Sequence, residues 1–275
     1  MYLDPIGCRP PSLISSAIAE HVNAEHSTLM SLSDSSQFGN APVDIETFRR
    51  RFLAKKGCAQ LNWRAVLVEH EINVVLIALA RKLNKHFANC KKPLVVVGIL
   101  KGVYGFLWEL TKRLDVPHSV YFIDASSYKG QTQSDVRFGT GIEVNKLQGR
   151  HVLLLDELFD SGHTMAAVAN ALLTHPELGL DSGDLTTCVL FSKNSGTALA
   201  QPNFVGIGNL PNVWFVGYGL DDNGEKRNWP HLFAVPKLPG MEYTADDAIF
   251  EDADFYRRVR RELYNAVLDG VEDSD

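Results

Sequence analysis

The stretch VLLLDELFDSGHTM, residues 152–165, decides how the rest of the chain is read. Four aliphatic residues in a row come first, then Asp156, Glu157 and Asp160 within five positions, then a break at Ser161-Gly162. A half-exposed strand would alternate apolar and polar positions, so the unbroken run predicts a short strand over 152–155 that is buried on both faces. Asp156 and Glu157 then stand at its carboxyl end, and DSGHT becomes the turn into a helix that starts near Thr164.

That placement puts Ser161, Gly162, His163 and Thr164 at a helix N-terminus. Unpaired backbone N–H groups and the helix dipole make such a place suited to a phosphate, Gly162 lets the backbone come close, and two hydroxyls add donors. The carboxylates cannot bind phosphate, since like charges repel. They need another target: sugar hydroxyls, a hard cation, or a proton to accept. A phosphate cup with acids beside it implies a phosphorylated sugar. Standing alone, the same residues also read as solvated loop acids, a helix cap at Asp160 and an ordinary turn glycine. The rest of the chain separates these readings.

Around the stretch, short aliphatic runs alternate with helical ones. PLVVVGIL (93–100), HSVYFIDASSY, HVLLLDEL, TTCVLFSK and NVWFVGYGL read as strands, and GFLWELTKRL and TMAAVANALLTH as helices. Upstream, EHEINVVLIALARKLNKHF places Ile72, Val75, Leu76, Leu79, Leu83 and Phe87 at helical spacing. The pattern predicts an α/β domain with a doubly wound, mainly parallel sheet flanked by helices, whose ligands lie beyond the carboxyl ends of the strands. Residues 1–60 read as an N-terminal extension, turn-rich, with helical pieces over 12–30 and over 44–56, the second capped by Asp44. Residues 61–236 form the main domain, and 237–275 a C-terminal extension made of a loop, a helix and an acidic end.

Composition bounds the function. The 275 residues are 45% hydrophobic and 22% charged, ordinary for a globular chain, with a net charge of −6. That balance argues against a nucleic-acid partner. Cys8, Cys58, Cys90 and Cys188 lie far apart without metal-site spacing; Cys90 and Cys188 flank apolar runs and read as small core or surface thiols, in keeping with a reducing compartment. MYLDPIGCRPPSL lacks a basic region followed by an apolar core, and no apolar run approaches the roughly 20 residues of a membrane span. A cytoplasmic protein without membrane association is expected. No G-x-G-x-x-G follows a strand, which weighs against a dinucleotide binder.

The opening stretch resembles the phosphoribosyl-pyrophosphate loop of the type I phosphoribosyltransferases: four aliphatic residues, two acids, two apolar residues, then D-[ST]-G-x-T. Other blocks narrow the resemblance to the hypoxanthine-guanine phosphoribosyltransferase family. VGILKGVYGF is similar to its first pyrophosphate loop, FIDASSYKG to its mobile catalytic loop and VLFSK to its base-contacting lysine strand. NVWFVGYGLDDNGEKRNWPHLFAV is similar to its C-terminal purine and metal segment. The five blocks stand in the family's order across about residues 61–236. The resemblance implies the type I phosphoribosyltransferase fold with a small hood, and transfer of a 5-phosphoribosyl group from phosphoribosyl pyrophosphate to hypoxanthine or guanine with release of pyrophosphate.

The resemblance also implies roles. Ser161, Gly162, His163 and Thr164 cup the 5′-phosphate, while Asp156 and Glu157 face the ribose hydroxyls and magnesium (Mg2+). Asp160 lies near N7 of the purine as general base. Lys101 and Gly102, with a cis peptide between them, hold pyrophosphate, and Arg227 pairs with it in bidentate fashion. Lys193 donates to O6 of the base, Trp214 stacks on it, and the Phe215 backbone meets its edge. Asp221, in the same purine segment, binds the second magnesium. Ser127 and Tyr128 belong to a lid that excludes water. The family's acid pair reads Glu-Asp where this chain has Asp156-Glu157, which exchanges the reach of the two side chains. A homo-oligomer, dimer or tetramer, is expected. The alternatives are a xanthine-preferring enzyme and a non-catalytic regulator that binds phosphoribosyl pyrophosphate.

Overall fold

The computed structural model describes residues 45–124, 144–194, 201–236, 250, 252 and 254–272. The chain divides into two compact units, 1–59 and 60–275. In the first, the described part is α1 (Ile45–Lys55), along which the Phe48 and Phe52 rings stack at 6.1 Å and Arg49 Nε meets Glu46 at 2.7 Å. The helix expected over 12–30 and the Asp44 cap lie outside the described residues.

The second unit runs β1 (Arg64–Leu67), α2 (Glu69–Phe87), β2 (Leu94–Leu100), α3 (Tyr104–Thr111), β3 (His118–Asp124), β4 (His151–Phe159) and α4 (His163–Thr174). It continues through β5 (Leu185–Lys193), β6 (Phe204–Leu210), β7 (Trp214–Val216), β8 (Leu232–Val235) and α5 (Phe255–Glu272). Strands β3-β2-β4-β5-β6 form a five-stranded sheet, parallel throughout. Side-chain alternation splits its two faces. Val96, Leu153, Leu155 and Leu190 pack with α2, α3 and α5, while Val95, Val97, Val152, Leu154 and Val189 pack with Met165, Val168 and Leu172 of α4. Burial on both sides is why these strands read as continuous aliphatic runs.

A second sheet, β1-β8-β7, is antiparallel. NVWFVGYGL contributes its three-residue strand there, not to the parallel sheet. The short strands β1 and β8 and the glycine-diluted β6 were not foreseen, because four residues, or two glycines in seven, leave little periodicity to read. β4 is also longer than its aliphatic run: Asp156, Leu158 and Phe159 pair with Val189, Phe191 and Ser192 of β5, so ladder bonding carries the strand through the acids. The C-terminal helix α5 is part of this unit, with Phe255, Val259 and Leu263 buried in the α2-side core.

Among the described residues, no helix is long and apolar enough to cross a membrane. Cys58, Cys90 and Cys188 are free thiols, and burial in the core pushes the Cys188 thiol well up.

Candidate active site

β2, β4 and β5 are adjacent and parallel, so their carboxyl ends bring Lys101, the acids of 156–160 and Lys193 to one edge of the sheet. Three of the five sequence blocks meet for that reason alone. The loop after β7 brings in a fourth.

Lys193 is the last residue of β5. Its Nζ lies 2.8 Å from Asp160 Oδ2 and 5.7 Å from the centroid of the Phe215 ring. The lysine side chain is 4% exposed and that of Asp160 51%. A desolvated ammonium thus rests on an aromatic face with a carboxylate at its open side. Losing that carboxylate would leave the lysine charge poorly compensated. Phe215 is buried and its neighbour Trp214 is 40% exposed, with Nε1 3.4 Å from the Asp221 carbonyl. The exposed indole can offer a flat ligand a stacking face, and the lysine amine a donor.

The acid pair sits deeper. Asp156 Oδ1 accepts the Glu157 N–H at 3.0 Å. Glu157 Oε2 is buried with no hydrogen-bond partner, and a Cβ on Gly102 would fall 1.7 Å from Glu157 Oε1. The glutamate carboxyl therefore fills the space that Gly102 leaves open. Gly219 closes the contact: at φ +100° its own Cβ would stand 2.1 Å from the Gly102 carbonyl oxygen. Two glycines let the backbone after β2, the Glu157 carboxyl and the 217–229 loop come together. Burial, then the charge of Glu157, drives the Asp156 carboxyl well above the usual carboxylate range. Burial also raises Glu157, against the Asp156 hydrogen bond and the Arg227 charge.

Arg227 organises the loop. It donates to the Gly219 carbonyl at 2.7 Å and pairs with Asp221 Oδ1 at 2.6 Å, while the Gly224 N–H donates to Asp221 Oδ2 at 2.7 Å. Each Asp221 oxygen is engaged by one donor, which leaves lone pairs on the carboxylate for a cation. Asp222 pairs with Lys226 at 2.6 Å.

At the other end of the acid cluster, Gly162 adopts φ 79° and caps α4, which starts at His163. The first N–H groups of a helix lack intrahelical acceptors, so Ser161 to Thr164 present donors to an anion. His163 is exposed and its Nδ1 lies 2.8 Å from Ser161 Oγ.

One expectation is corrected: the cis peptide joins Leu100 to Lys101, one bond before the Lys101–Gly102 bond that the resemblance implied. The cis bond leaves the last residue of β2, one residue ahead of the glycine that meets Glu157. Ser127 and Tyr128 lie outside the described residues. Gly219 was missed in the sequence, although the G-Y-G spacing over 217–219 was a visible signal.

Comparison with known proteins agrees with this geometry. Residues 62–223 match the model of the Phosphoribosyl transferase domain. The hypoxanthine phosphoribosyltransferase of Salmonella typhimurium is 30% identical over 177 residues, 63% of this chain and 95% of the relative. The hypoxanthine-guanine phosphoribosyltransferase of Staphylococcus aureus is 32% identical over 173 residues, 61% of this chain and 90% of the relative. Among solved structures, a hypoxanthine phosphoribosyltransferase from Staphylococcus aureus superposes with a TM-score of 0.54 at 29% identity, covering 66% of this chain and 94% of that one.

Proposed function

This chain belongs to the phosphoribosyl transferase domain family, within its hypoxanthine-guanine branch, and on that premise we propose that it transfers a 5-phosphoribosyl group from phosphoribosyl pyrophosphate to hypoxanthine or guanine, giving IMP or GMP and pyrophosphate. The observation that carries the proposal is the Lys193 amine held between the Asp160 carboxylate and the Phe215 ring.

In this reading a 6-oxopurine stacks on Trp214 and its O6 takes a hydrogen bond from Lys193, which a 6-amino group could not accept. Asp160, released from Lys193 by that exchange, takes the N7 proton. N9 forms the bond to the anomeric carbon as the bond to pyrophosphate breaks, its electron pair leaving with pyrophosphate. The 5′-phosphate rests on the N–H groups of 161–164 at the start of α4, which fixes the anomeric carbon opposite the purine. Lys101 and Arg227 neutralise the departing pyrophosphate.

The residues also fit magnesium. Glu157 Oε2 is a buried acceptor without a partner, and Mg2+ commonly takes one or two carboxylates and completes its shell with water and substrate phosphate. Asp156 and Glu157 would hold one ion beside the ribose and Asp221 a second on the pyrophosphate, and when bound they would supply positive charge against the pyrophosphate oxygens. Ser127 and Tyr128 complete the proposal as parts of a lid that keeps water from the reacting carbon. A homo-oligomer is part of the same reading, for which Tyr104 and Trp108, exposed one turn apart on α3, supply apolar surface.

The test is pyrophosphate release by the purified protein with phosphoribosyl pyrophosphate and, in turn, hypoxanthine, guanine, xanthine and adenine. Release with hypoxanthine or guanine is expected. Preference for xanthine would change the base assignment, and binding of phosphoribosyl pyrophosphate without release on any purine would make the protein a non-catalytic binder.

A further inference from the structure

The match to the phosphoribosyl transferase domain ends at residue 223, yet α5, thirty residues beyond it, is tied to the small sheet that carries Trp214. The ties converge on β1. Ala65 pairs with Phe233 and Leu67 with Leu232, so Val66 is an extra residue, a bulge opposite consecutive positions of β8. A bulged residue falls out of the ladder and its backbone groups need partners from elsewhere. Arg260 of α5 provides one: its Nη1 donates to the Val66 carbonyl at 3.1 Å.

The same guanidinium reaches α2. Its Nε pairs with Glu71 Oε1 at 2.6 Å, and the other oxygen of Glu71 accepts the Val68 N–H at 2.8 Å, closing the first turn of that helix. One residue on, the Glu69 N–H donates to His231 Nδ1 at 3.0 Å. His231 directly precedes β8, and its carbonyl oxygen would lie 2.0 Å from a Cβ on Gly217, the residue that follows β7. From the opposite direction, the Arg64 guanidinium of β1 lies 4.9 Å from the Phe255 ring and 4.9 Å from the Tyr256 ring at the start of α5. Two arginines thus clamp β1 to α5, one reaching each way, and β1 pairs through β8 to β7.

We propose that α5 is a built-in clamp on the base-binding sheet, with Arg260 as its positioning residue: by satisfying the Val66 bulge and Glu71 together, it sets where β7 presents Trp214 and Phe215 to the purine. The inference rests on the reading of Trp214 as the stacking residue. Arg260 touches neither substrate nor reacting atoms. Its effect passes through the sheet, so it falls mainly on the purine; phosphoribosyl pyrophosphate is held chiefly from the carboxyl ends of β2 and β4, with Arg227 and Asp221 reaching it from the loop between β7 and β8.

The experiment compares the full chain with Arg260→Gln and Arg260→Lys by steady-state kinetics and by backbone hydrogen exchange. Arg260→Gln is expected to raise KM for hypoxanthine on the order of tenfold, the loss typical of one charge-assisted hydrogen bond, with KM for phosphoribosyl pyrophosphate changed less than about twofold. Exchange is expected to quicken in Trp214–Val216 and Leu232–Val235 and to stay unchanged in the centre of β4. Arg260→Lys keeps a cation for Glu71 but lacks the planar fork that serves two acceptors, so it should fall between. Equal rises in both KM values, or faster exchange with no change in purine KM, would overturn the proposal. If the wild type acts on no purine, the proposed function falls, while unchanged exchange in β7 of Arg260→Gln would separately refute the clamp.

Discussion

Lys193 and Asp160 face each other across 2.8 Å at the ends of two neighbouring parallel strands, the lysine almost wholly buried and the aspartate half open. A base entering from the open side meets the acid first and the amine behind it. Asp160→Asn keeps the shape and removes both the charge and the proton acceptor. A fall in kcat of about 10²–10⁴-fold is expected, measured by pyrophosphate release with hypoxanthine at saturation. Undiminished turnover would remove Asp160 from the proton transfer.

Lys193→Ala takes away the amine proposed to donate to O6. The expected loss in kcat/KM for hypoxanthine is about 10–100-fold, with adenine affected little, so the ratio between the two bases falls by about the same factor. Parallel kinetics on both bases provide the check. A fall of equal size for each would mean that Lys193 supports the site without reading the base.

Gly219→Ala puts a methyl group 2.1 Å from the Gly102 carbonyl oxygen at a φ of +100°. Neither the backbone contact nor the angle tolerates it, and a stability loss of about 1–3 kcal/mol is expected from the overpacking. The functional consequence should fall on the pyrophosphate loop: KM for phosphoribosyl pyrophosphate rises by about tenfold or more, while KM for the purine moves little. Thermal unfolding together with the two KM values tests this, and an unchanged KM for phosphoribosyl pyrophosphate would contradict it.

At the opposite end of the sheet, His151 Nε2 lies 2.8 Å from Thr186 Oγ1. Burial, with help from His86 and Lys92 and against Asp184, holds the His151 imidazole below its ordinary value. The folded state therefore binds fewer protons than the unfolded state, whose histidine titrates near about 6.5. Stability from this group is complete above that pH and is lost as pH falls through the lowered folded value. Tm of the wild type should drop on going from neutral pH to about pH 5 more than Tm of His151→Gln, which keeps a hydrogen-bonding group for Thr186 but does not titrate. Parallel curves for the two proteins would contradict the assignment.

Much of this was legible in the sequence where one kind of force acted alone. The aliphatic runs at 94–97 and 152–155 declared buried parallel strands because nothing polar interrupts a strand covered on both faces. The acid pair was visible as charge at the end of an aliphatic run, and Lys193 was singled out by its resemblance to the family's lysine strand. What stayed hidden depends on long-range contact. Trp214 looked like part of another parallel strand until its pairing with Val235 placed it in the small sheet. Gly102 packs against Glu157 and against Gly219, partners far from it along the chain, and no local pattern records these contacts. Arg260 gave no signal of its bond to the Val66 carbonyl, since a bulge exists only once two strands have paired.

The central claim is that a buried amine and a half-open carboxylate select and deprotonate a 6-oxopurine for phosphoribosyl transfer. The most direct measurement is kcat/KM of the purified protein for hypoxanthine and for adenine at saturating phosphoribosyl pyrophosphate and magnesium, with the nucleotide product identified. The account predicts IMP formed in step with pyrophosphate and a preference for hypoxanthine over adenine of at least about 10⁴-fold, the discrimination expected where a buried donor would be left unpaired. Equal rates on the two bases, or pyrophosphate released without IMP, would contradict it.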